Sequence, residues 1–256
     1  MSRHVPYLAE EAIERDAAAL LAEFEHARGI VLEPPIPVED IVEKHLKLRI
    51  EFDDLHARHN IPRPKSGQTD ILGAIYGDGS IFIDETLDPD ENPSREGRYR
   101  FTVAHEGGGH WRLHQHLIME DTAQASLFDG DSAPKFICRS SQAKERLEWQ
   151  ADFYASCLLM PRKMVFVVWD EIFPDRKPRV LQPKTPTEHS FVEIPKYSFQ
   201  LSGQMLECET DDEALERFCK PLAERFLVSP IAMRIRLEKL GLLHRTVPLQ
   251  RLLAGS

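Results

Sequence analysis

The residues of this chain whose types and spacing can do chemistry are concentrated in the stretch 101–110, which reads FTVAHEGGGH. His105 and Glu106 are adjacent, and His110 follows five positions after His105. A catalytic zinc ion takes imidazole and carboxylate ligands and keeps one position open for water. A glutamate beside the first histidine can accept the proton that such a water loses. The pattern predicts a metal site that includes His105 and His110, with Glu106 as the catalytic base.

A second stretch, 145–161, reads ERLEWQADFYASCLLMP and offers the third ligand. We predict that Glu148 is this ligand. Asp152 lies four residues later and therefore on the same helical face. From there it can accept a hydrogen bond from a ligand imidazole and fix the tautomer of that ring. Glu145, one turn before Glu148, is the competing candidate.

The spacing of the two histidines is unusual for a metal site on a helix. In an α-helix, a residue five positions on is turned about 140° away, so His105 and His110 could not chelate one ion. A wide π-type turn can absorb one extra residue. Three consecutive glycines ease such a distortion, although each weakens a helix by roughly 1 kcal/mol relative to alanine. We therefore expect a bulge, or a broken helix that closes on the metal.

Two alternatives remain open if no such distortion occurs. Glu106, His110 and His114 are spaced four apart, so an undistorted helix would present them together. His114 would then be an alternative ligand, Glu106 would be a ligand as well, and no obvious base would remain. The other alternative is a site that binds no metal. Independently of these, His114 or Tyr154 can be considered as a group that stabilises an oxyanion.

Together the two stretches resemble the ImmA/IrrE family of metallopeptidases, which are gluzincin-like. The resemblance depends on RFTVAHE at 100–106, EWQADFYA at 148–155 and LLMP at 158–161, and it covers roughly positions 37 to 161. The family spacing is H-E-x-x-H, one residue shorter than here.

The family resemblance implies a zinc-dependent endopeptidase. The sequence does not fix the metal, and manganese is an alternative. It also implies a protein substrate, namely a helix-turn-helix transcriptional repressor whose cleavage switches on a stress or mobile-element response. A hypothesis from another class is a regulatory binding module, with or without metal, that uses the same groove without cleavage.

The elements around these motifs predict an α+β fold. We expect a small, mainly antiparallel sheet packed on an active-site helix and a second ligand helix, followed by a helical unit that resembles a helix-turn-helix. The predicted division is a peptidase domain at 1–165, a proline-rich connecting segment at 166–210, which is expected to be extended from Phe173 to Thr210, and the helical unit at 211–256. Strands are expected at 48–52, 71–76 and 81–84, and helices at 8–26, from Asn92-Pro93 to about His116, from Ser140 or Ser141 to Pro161, 211–226 and 230–240.

Composition narrows the choice of partner and compartment. The chain has 256 residues and a net charge of -10, so it has no long-range attraction to phosphate backbones. In the helical unit Arg234, Arg236 and Arg245 give local positive charge. The predicted core of this unit consists of Leu222, Phe226, Val228, Ile231, Ile235, Leu237 and Leu240. Packing support is favoured for this unit, with DNA contact as the minor alternative. The acidic N-terminus, the lack of a long apolar run and the absence of C-x-x-C pairs predict a cytoplasmic protein without membrane contact.

Overall fold

The chain divides into two compact units. One comprises Met1–Pro161 with Phe226–Val228, and the other comprises Arg162–Arg225 with Ser229–Ser256. Within the residues described, no helix has both the length and the apolar character needed to cross a bilayer. The computed structural model describes residues 7–63, 70–115, 136–139, 146–181, 197–201, 204–208 and 210–245.

The first unit opens with helix α1, Glu10–Arg28, close to the predicted 8–26. Glu10 and Glu11 lie in its first turn, where acidic side chains complement the helix dipole. Gly29 ends the helix in the left-handed region (φ 65°), and its N–H donates to the carbonyl of Glu25. Apolar residues recur at helical spacing and form one buried face: Ile13, Ala17, Leu20, Leu21 and Phe24.

A four-stranded sheet forms the β-layer of this unit. Its strands are β1 (Arg49–Asp53), β2 (Ile71–Ile75), β3 (Ser80–Asp84) and β4 (Phe136–Arg139), in the order β1-β3-β2-β4. β2 pairs antiparallel with both β3 and β4, whereas β1 runs parallel to β3. The three predicted strands are confirmed. β4 was not predicted, because it is only four residues long and is defined by its pairing with β2.

The helices between and after the strands position the predicted site. The helix predicted from Asn92-Pro93 to His116 is broken into a 3₁₀ turn (Pro93–Arg95), helix α4 (Glu96–Val103) and a π-helix (Ala104–Leu113). Helix α5, Arg146–Leu159, ends before Pro161 as expected. The π-helix packs against α5 on one side and contacts β2 on another, and α1 also packs on α5. The predicted caps Ser140 and Ser141 lie outside the described residues.

Two shorter helical segments lie earlier in the chain than α4. They are α2 (Val38–Asp40), which continues as a π-turn (Ile41–His45), and α3 (Leu55–Arg58).

The second unit contains more regular structure than the sequence indicated. An extended chain was expected from Phe173 to Thr210; a helix ends just before this stretch, at Ile172, and a β-hairpin lies within it. Pro174 and Pro178 lie between these elements, so they delimit regular structure instead of excluding it. The elements are α6 (Arg162–Ile172), β5 (Arg179–Val180), β6 (Tyr197–Leu201), β7 (Gln204–Cys208), α7 (Asp211–Phe226), α8 (Pro230–Lys239) and β8 (Leu243–His244).

Helix α8 confirms the predicted start and corrects the predicted core. The Ser229 hydroxyl accepts a hydrogen bond from the N–H of Ala232, as an N-cap does. Ile231 and Ile235 are 54% and 46% exposed, so the prediction that they belong to the core is wrong. Leu237, also predicted to belong to the core, is buried, together with Met233 and Arg236, and these three face the other way around the helix.

Candidate metal centre

The π-helix brings the two predicted imidazole ligands together. Hydrogen bonds in a π-helix join residues five apart, so side chains at that spacing lie about one turn apart on one face. His105 and His110 are both buried, and their Nε2 atoms are 3.0 Å apart. The expected wide turn is therefore present, and it extends over Ala104–Leu113 instead of a single turn. The undistorted helix that would have grouped Glu106, His110 and His114 is not formed.

The three glycines allow this π-helix to approach its neighbours closely. A Cβ on Gly107 would lie 2.6 Å from Cγ2 of Val42, and one on Gly108 would lie 2.8 Å from the ring of Tyr154. At Gly109 the obstacle is backbone, because a Cβ would lie 2.5 Å from Cα of Ala151. The sequence suggested that the glycines soften the helix; the packing adds that larger residues would not fit.

Glu148 on α5 completes a group of three possible ligands. Its Oε2 lies 3.2 Å from Nε2 of His105, and its Oε1 lies 3.5 Å from Nε2 of His110. A tetrahedral zinc ion with bonds of about 2.0–2.1 Å holds its ligand atoms about 3.3 Å apart. The observed separations lie close to this value, with a different Glu148 oxygen nearest to each ring, and one ligand atom from each of the three residues lies within 4.8 Å of the other two. This buried His-His-Glu group could therefore hold a metal ion.

The electrostatics of the group suit a cation. Burial by itself raises the pKa of Glu148, but hydrogen bonds from His105 and His110 outweigh it and lower that pKa to about 2. Burial lowers the pKa of His110. Glu148 is thus a carboxylate and His110 a neutral imidazole near pH 7, and these are the forms that bind metal.

Asp152 lies on the far side of the first histidine ring. Its Oδ1 is 2.9 Å from Nδ1 of His105, while Glu148 faces the Nε2 of the same ring. A proton on Nδ1 donated to this carboxylate leaves a lone pair on Nε2, where a metal would bind. The structure thus places Asp152 where the spacing on α5 predicted it. The competing candidate Glu145 lies outside the described residues.

Glu106 is fully buried beside this group. Neither of its carboxylate oxygens has a hydrogen-bond partner among the described residues. The side chain lies against strand β2, where a Cβ on Gly73 would be 2.8 Å from Oε1. Burial raises the pKa of Glu106 to about 8; the neighbouring His105 opposes the shift, and the charges of Glu148 and Asp152 add to it. A carboxyl group with a pKa near the working pH can both accept and return a proton.

The other residues considered for the site lie elsewhere. His114 has its Nδ1 3.3 Å from Nδ1 of His110, on the side of that ring away from Glu148. Its Nε2 is 2.8 Å from Oε1 of Gln150. The Tyr154 hydroxyl donates to Oδ1 of Asp16 at 3.0 Å, so it serves the packing of α1 on α5. Sequence analysis missed Gln150, because two positions from Glu148 it belongs to a different helical face.

The positive charges of the C-terminal helices are largely engaged within the chain. Arg236 is 1% exposed and cannot present its charge to a phosphate. Arg234 and Arg245 both pair with Glu238, at 3.3 and 2.9 Å. These contacts suit a structural role for α8.

Comparisons with known proteins leave the function to be inferred from the site. No protein-family model matches the chain, and no curated protein matches it. Among solved structures, a Mycobacterium tuberculosis transcriptional regulator is similar over 90% of this chain, with 12% sequence identity and a TM-score of 0.40. The chain spans about half (48%) of the length of that protein.

Proposed function

We propose that this chain is a zinc-dependent endopeptidase in which His105, His110 and Glu148 hold the metal and Glu106 is the general base. The proposal depends on one observation, which is that a group of possible metal ligands and a buried carboxylate lie side by side. The Nε2 atoms of His105 and His110 lie 3.0 Å apart, and each has an oxygen of Glu148 within 3.5 Å. A fully buried carboxylate, Glu106, lies beside them without a hydrogen-bond partner among the described residues.

The residues divide the work of peptide hydrolysis. A bound zinc ion would polarise the scissile carbonyl and lower the pKa of an attacking water. Glu106 accepts a proton from that water while the water oxygen forms a bond to the carbonyl carbon. Glu106 then returns the proton to the amide nitrogen as the carbon–nitrogen bond breaks, which yields a carboxylic acid and an amine; the acid then loses its remaining proton to the amine or to water. Its pKa of about 8 suits both transfers near neutral pH.

The substrate part of the proposal comes from the resemblance to the ImmA/IrrE family. It points to a helix-turn-helix transcriptional repressor as the protein that is cut, and manganese is the alternative metal. The resemblance depends on motif residues at 100–106 and 148–161. Three of the four site residues, His105, Glu106 and Glu148, lie in these motifs. The fourth, His110, is displaced by the extra glycine. The π-helix restores His110 to the group, which supports the resemblance despite the longer spacing.

Metal analysis combined with a cleavage assay tests the proposal. The wild type should contain about one zinc per chain, and it should cut a candidate repressor from the same genome in a reaction that a chelator stops. Glu106→Gln should keep the metal and lose cleavage by at least about 100-fold, the lower range for a general base. Glu11→Gln, an exposed position on α1, is the matched control and should behave as wild type.

Three outcomes would contradict different parts of the proposal. Loss of metal in Glu106→Gln would make Glu106 a ligand instead of the base. A wild-type protein that binds metal and the repressor without cutting it would favour the regulatory binding module. A wild-type protein that holds no metal would end the enzymatic assignment.

A further inference from the structure

Behind the second ligand histidine lies a chain of buried polar side chains that neither the motif nor the proposed mechanism uses. Nδ1 of His110 is 3.3 Å from Nδ1 of His114, and Nε2 of His114 is 2.8 Å from Oε1 of Gln150. His114 is 2% exposed and Gln150 is 1% exposed. Polar groups at this depth are expected to form specific hydrogen bonds, because leaving them unsatisfied is costly.

We propose that Gln150 and His114 act as a positioning relay that determines which nitrogen of His110 carries the proton, so that Nε2, which faces the metal site, keeps its lone pair. A neutral imidazole has one N–H donor and one acceptor nitrogen. If Nε2 of His114 donates to the Gln150 carbonyl oxygen, its Nδ1 is an acceptor. That acceptor can take a hydrogen bond from Nδ1–H of His110, which leaves the lone pair of His110 on Nε2.

The opposite order of protons is incompatible with a metal ligand. If the Gln150 amide donated to His114, the proton of His114 would lie on Nδ1 and would point at Nδ1 of His110. His110 would then carry its own proton on Nε2, which faces His105 and Glu148 and would repel a cation there. Of the two orders, only the one that begins at the Gln150 oxygen leaves Nε2 free to coordinate.

The relay gives His110 the support that Asp152 gives His105. Asp152 accepts directly from Nδ1 of His105, at 2.9 Å. The support that Gln150 gives His110 is indirect. Nδ1 of His110 lies next to the ring of His114, and the oxygen of Gln150 accepts from the other side of that ring. Both acceptors, Gln150 and Asp152, are on α5, as is the ligand Glu148, so one helix orients the whole ligand set.

The inference depends on the metal site of the proposed function, and substrate cleavage is not needed to test it. Zinc affinity is measured by competition with a chromophoric chelator. Gln150→Leu should weaken zinc binding by about 10- to 100-fold, the usual effect of removing a partner that orients a ligand. Gln150→Glu should retain wild-type affinity, because its carboxylate also accepts from His114. Gln115→Leu, at an exposed glutamine next to His114, is the matched control.

A second measurement distinguishes the relay from simple packing. In the zinc-loaded wild type, ring ¹⁵N chemical shifts should show the proton of His114 on Nε2 and that of His110 on Nδ1. A proton on Nδ1 of His114, or unchanged zinc affinity in Gln150→Leu, would overturn the relay and leave the proposed function intact. A wild-type protein that binds no zinc would overturn both. Urea unfolding of the metal-free variants shows whether each one is folded. If Gln150→Leu is not folded, the ¹⁵N chemical shifts of the wild type provide the test.

Discussion

The Nε2 atoms of His105 and His110 lie 3.0 Å apart, although the two residues are five positions apart in the chain. An α-helix would turn these side chains about 140° away from each other. The π-helix over Ala104–Leu113 removes that difference and allows Glu148 to reach both rings. The geometry of the candidate metal centre therefore depends on the conformation of this π-helix, and the packing of its glycines is the first feature to test.

Gly109→Ala should destabilise the protein. The added Cβ would lie 2.5 Å from Cα and 2.9 Å from the carbonyl oxygen of Ala151, so the π-helix and α5 would have to move apart. Overpacking of this kind costs about 1–3 kcal/mol, and urea unfolding of the metal-free protein measures it. Gly97→Ala in α4 is the control and should not destabilise, because alanine is the better helix former. Equal stability of Gly109→Ala and wild type would mean that α5 is not packed as closely as described.

Asp152→Asn should weaken metal binding without unfolding the protein. Asparagine keeps the size of the side chain but removes the charged acceptor that fixes Nδ1–H of His105. Loss of such a partner lowers metal affinity by about 10- to 100-fold, which chelator competition detects. The exposed Asp90→Asn serves as the reference. An affinity equal to that of wild type would show that Asp152 has no part in orienting the ligand.

Tyr154→Phe should affect stability and leave cleavage unchanged. The Tyr154 hydroxyl donates to Asp16, and Asp16 also accepts from Arg112, so the variant does not leave a carboxylate unpaired. The lost hydrogen bond should cost about 0.5–1.5 kcal/mol in urea unfolding. Tyr7→Phe, at a 69% exposed tyrosine, should cost nothing measurable. If Tyr154→Phe instead lowered the turnover number and left KM unchanged, Tyr154 would be assigned as a hydrogen-bond donor to the oxyanion.

The stability of the metal-free protein should depend on pH through Glu106. Burial raises the pKa of this carboxyl group from 4.5 to about 8, so the folded protein holds its proton to higher pH than the unfolded chain does. Its contribution to stability is complete below pH 4.5 and is lost as the pH rises through 8.

The variant Glu106→Gln isolates the contribution of the Glu106 carboxyl group to the pH dependence of stability, because glutamine does not titrate. The free energy of unfolding of the variant, minus that of wild type, should grow with pH across this window at up to about 1.4 kcal/mol per unit. The measurement is urea unfolding at several pH values in the presence of a chelator. The depressed pKa of His110 has the opposite trend, but it is common to both proteins and cancels in the difference. Parallel pH curves for the two proteins would contradict the assignment.

Much of the first unit could be predicted from local patterns. The buried face of α1 follows from apolar residues at helical spacing, and its end follows from Gly29, which adopts the left-handed conformation that glycine favours. The β2–β3 hairpin follows from two apolar runs separated by Gly77, Asp78 and Gly79. These features depend on neighbours in the chain, so the sequence contains the information. β4 and the β6–β7 hairpin were missed because short strands are stabilised by partners that the local sequence does not specify.

The sequence by itself determined the types of the candidate ligands and placed Glu148 and Asp152 on one face of α5, because helical periodicity fixes which residues are neighbours. Tertiary structure alone decided that the stretch around His105 and His110 winds as a π-helix, since the sequence left a bulge, a broken helix and a regular helix open. It also brought Gln150 to His114, a contact across 36 positions that no local pattern encodes. The physical reason is that close packing of three glycines against Val42, Tyr154 and Ala151 selects the conformation of the turn, and packing between distant elements exists only in the folded chain.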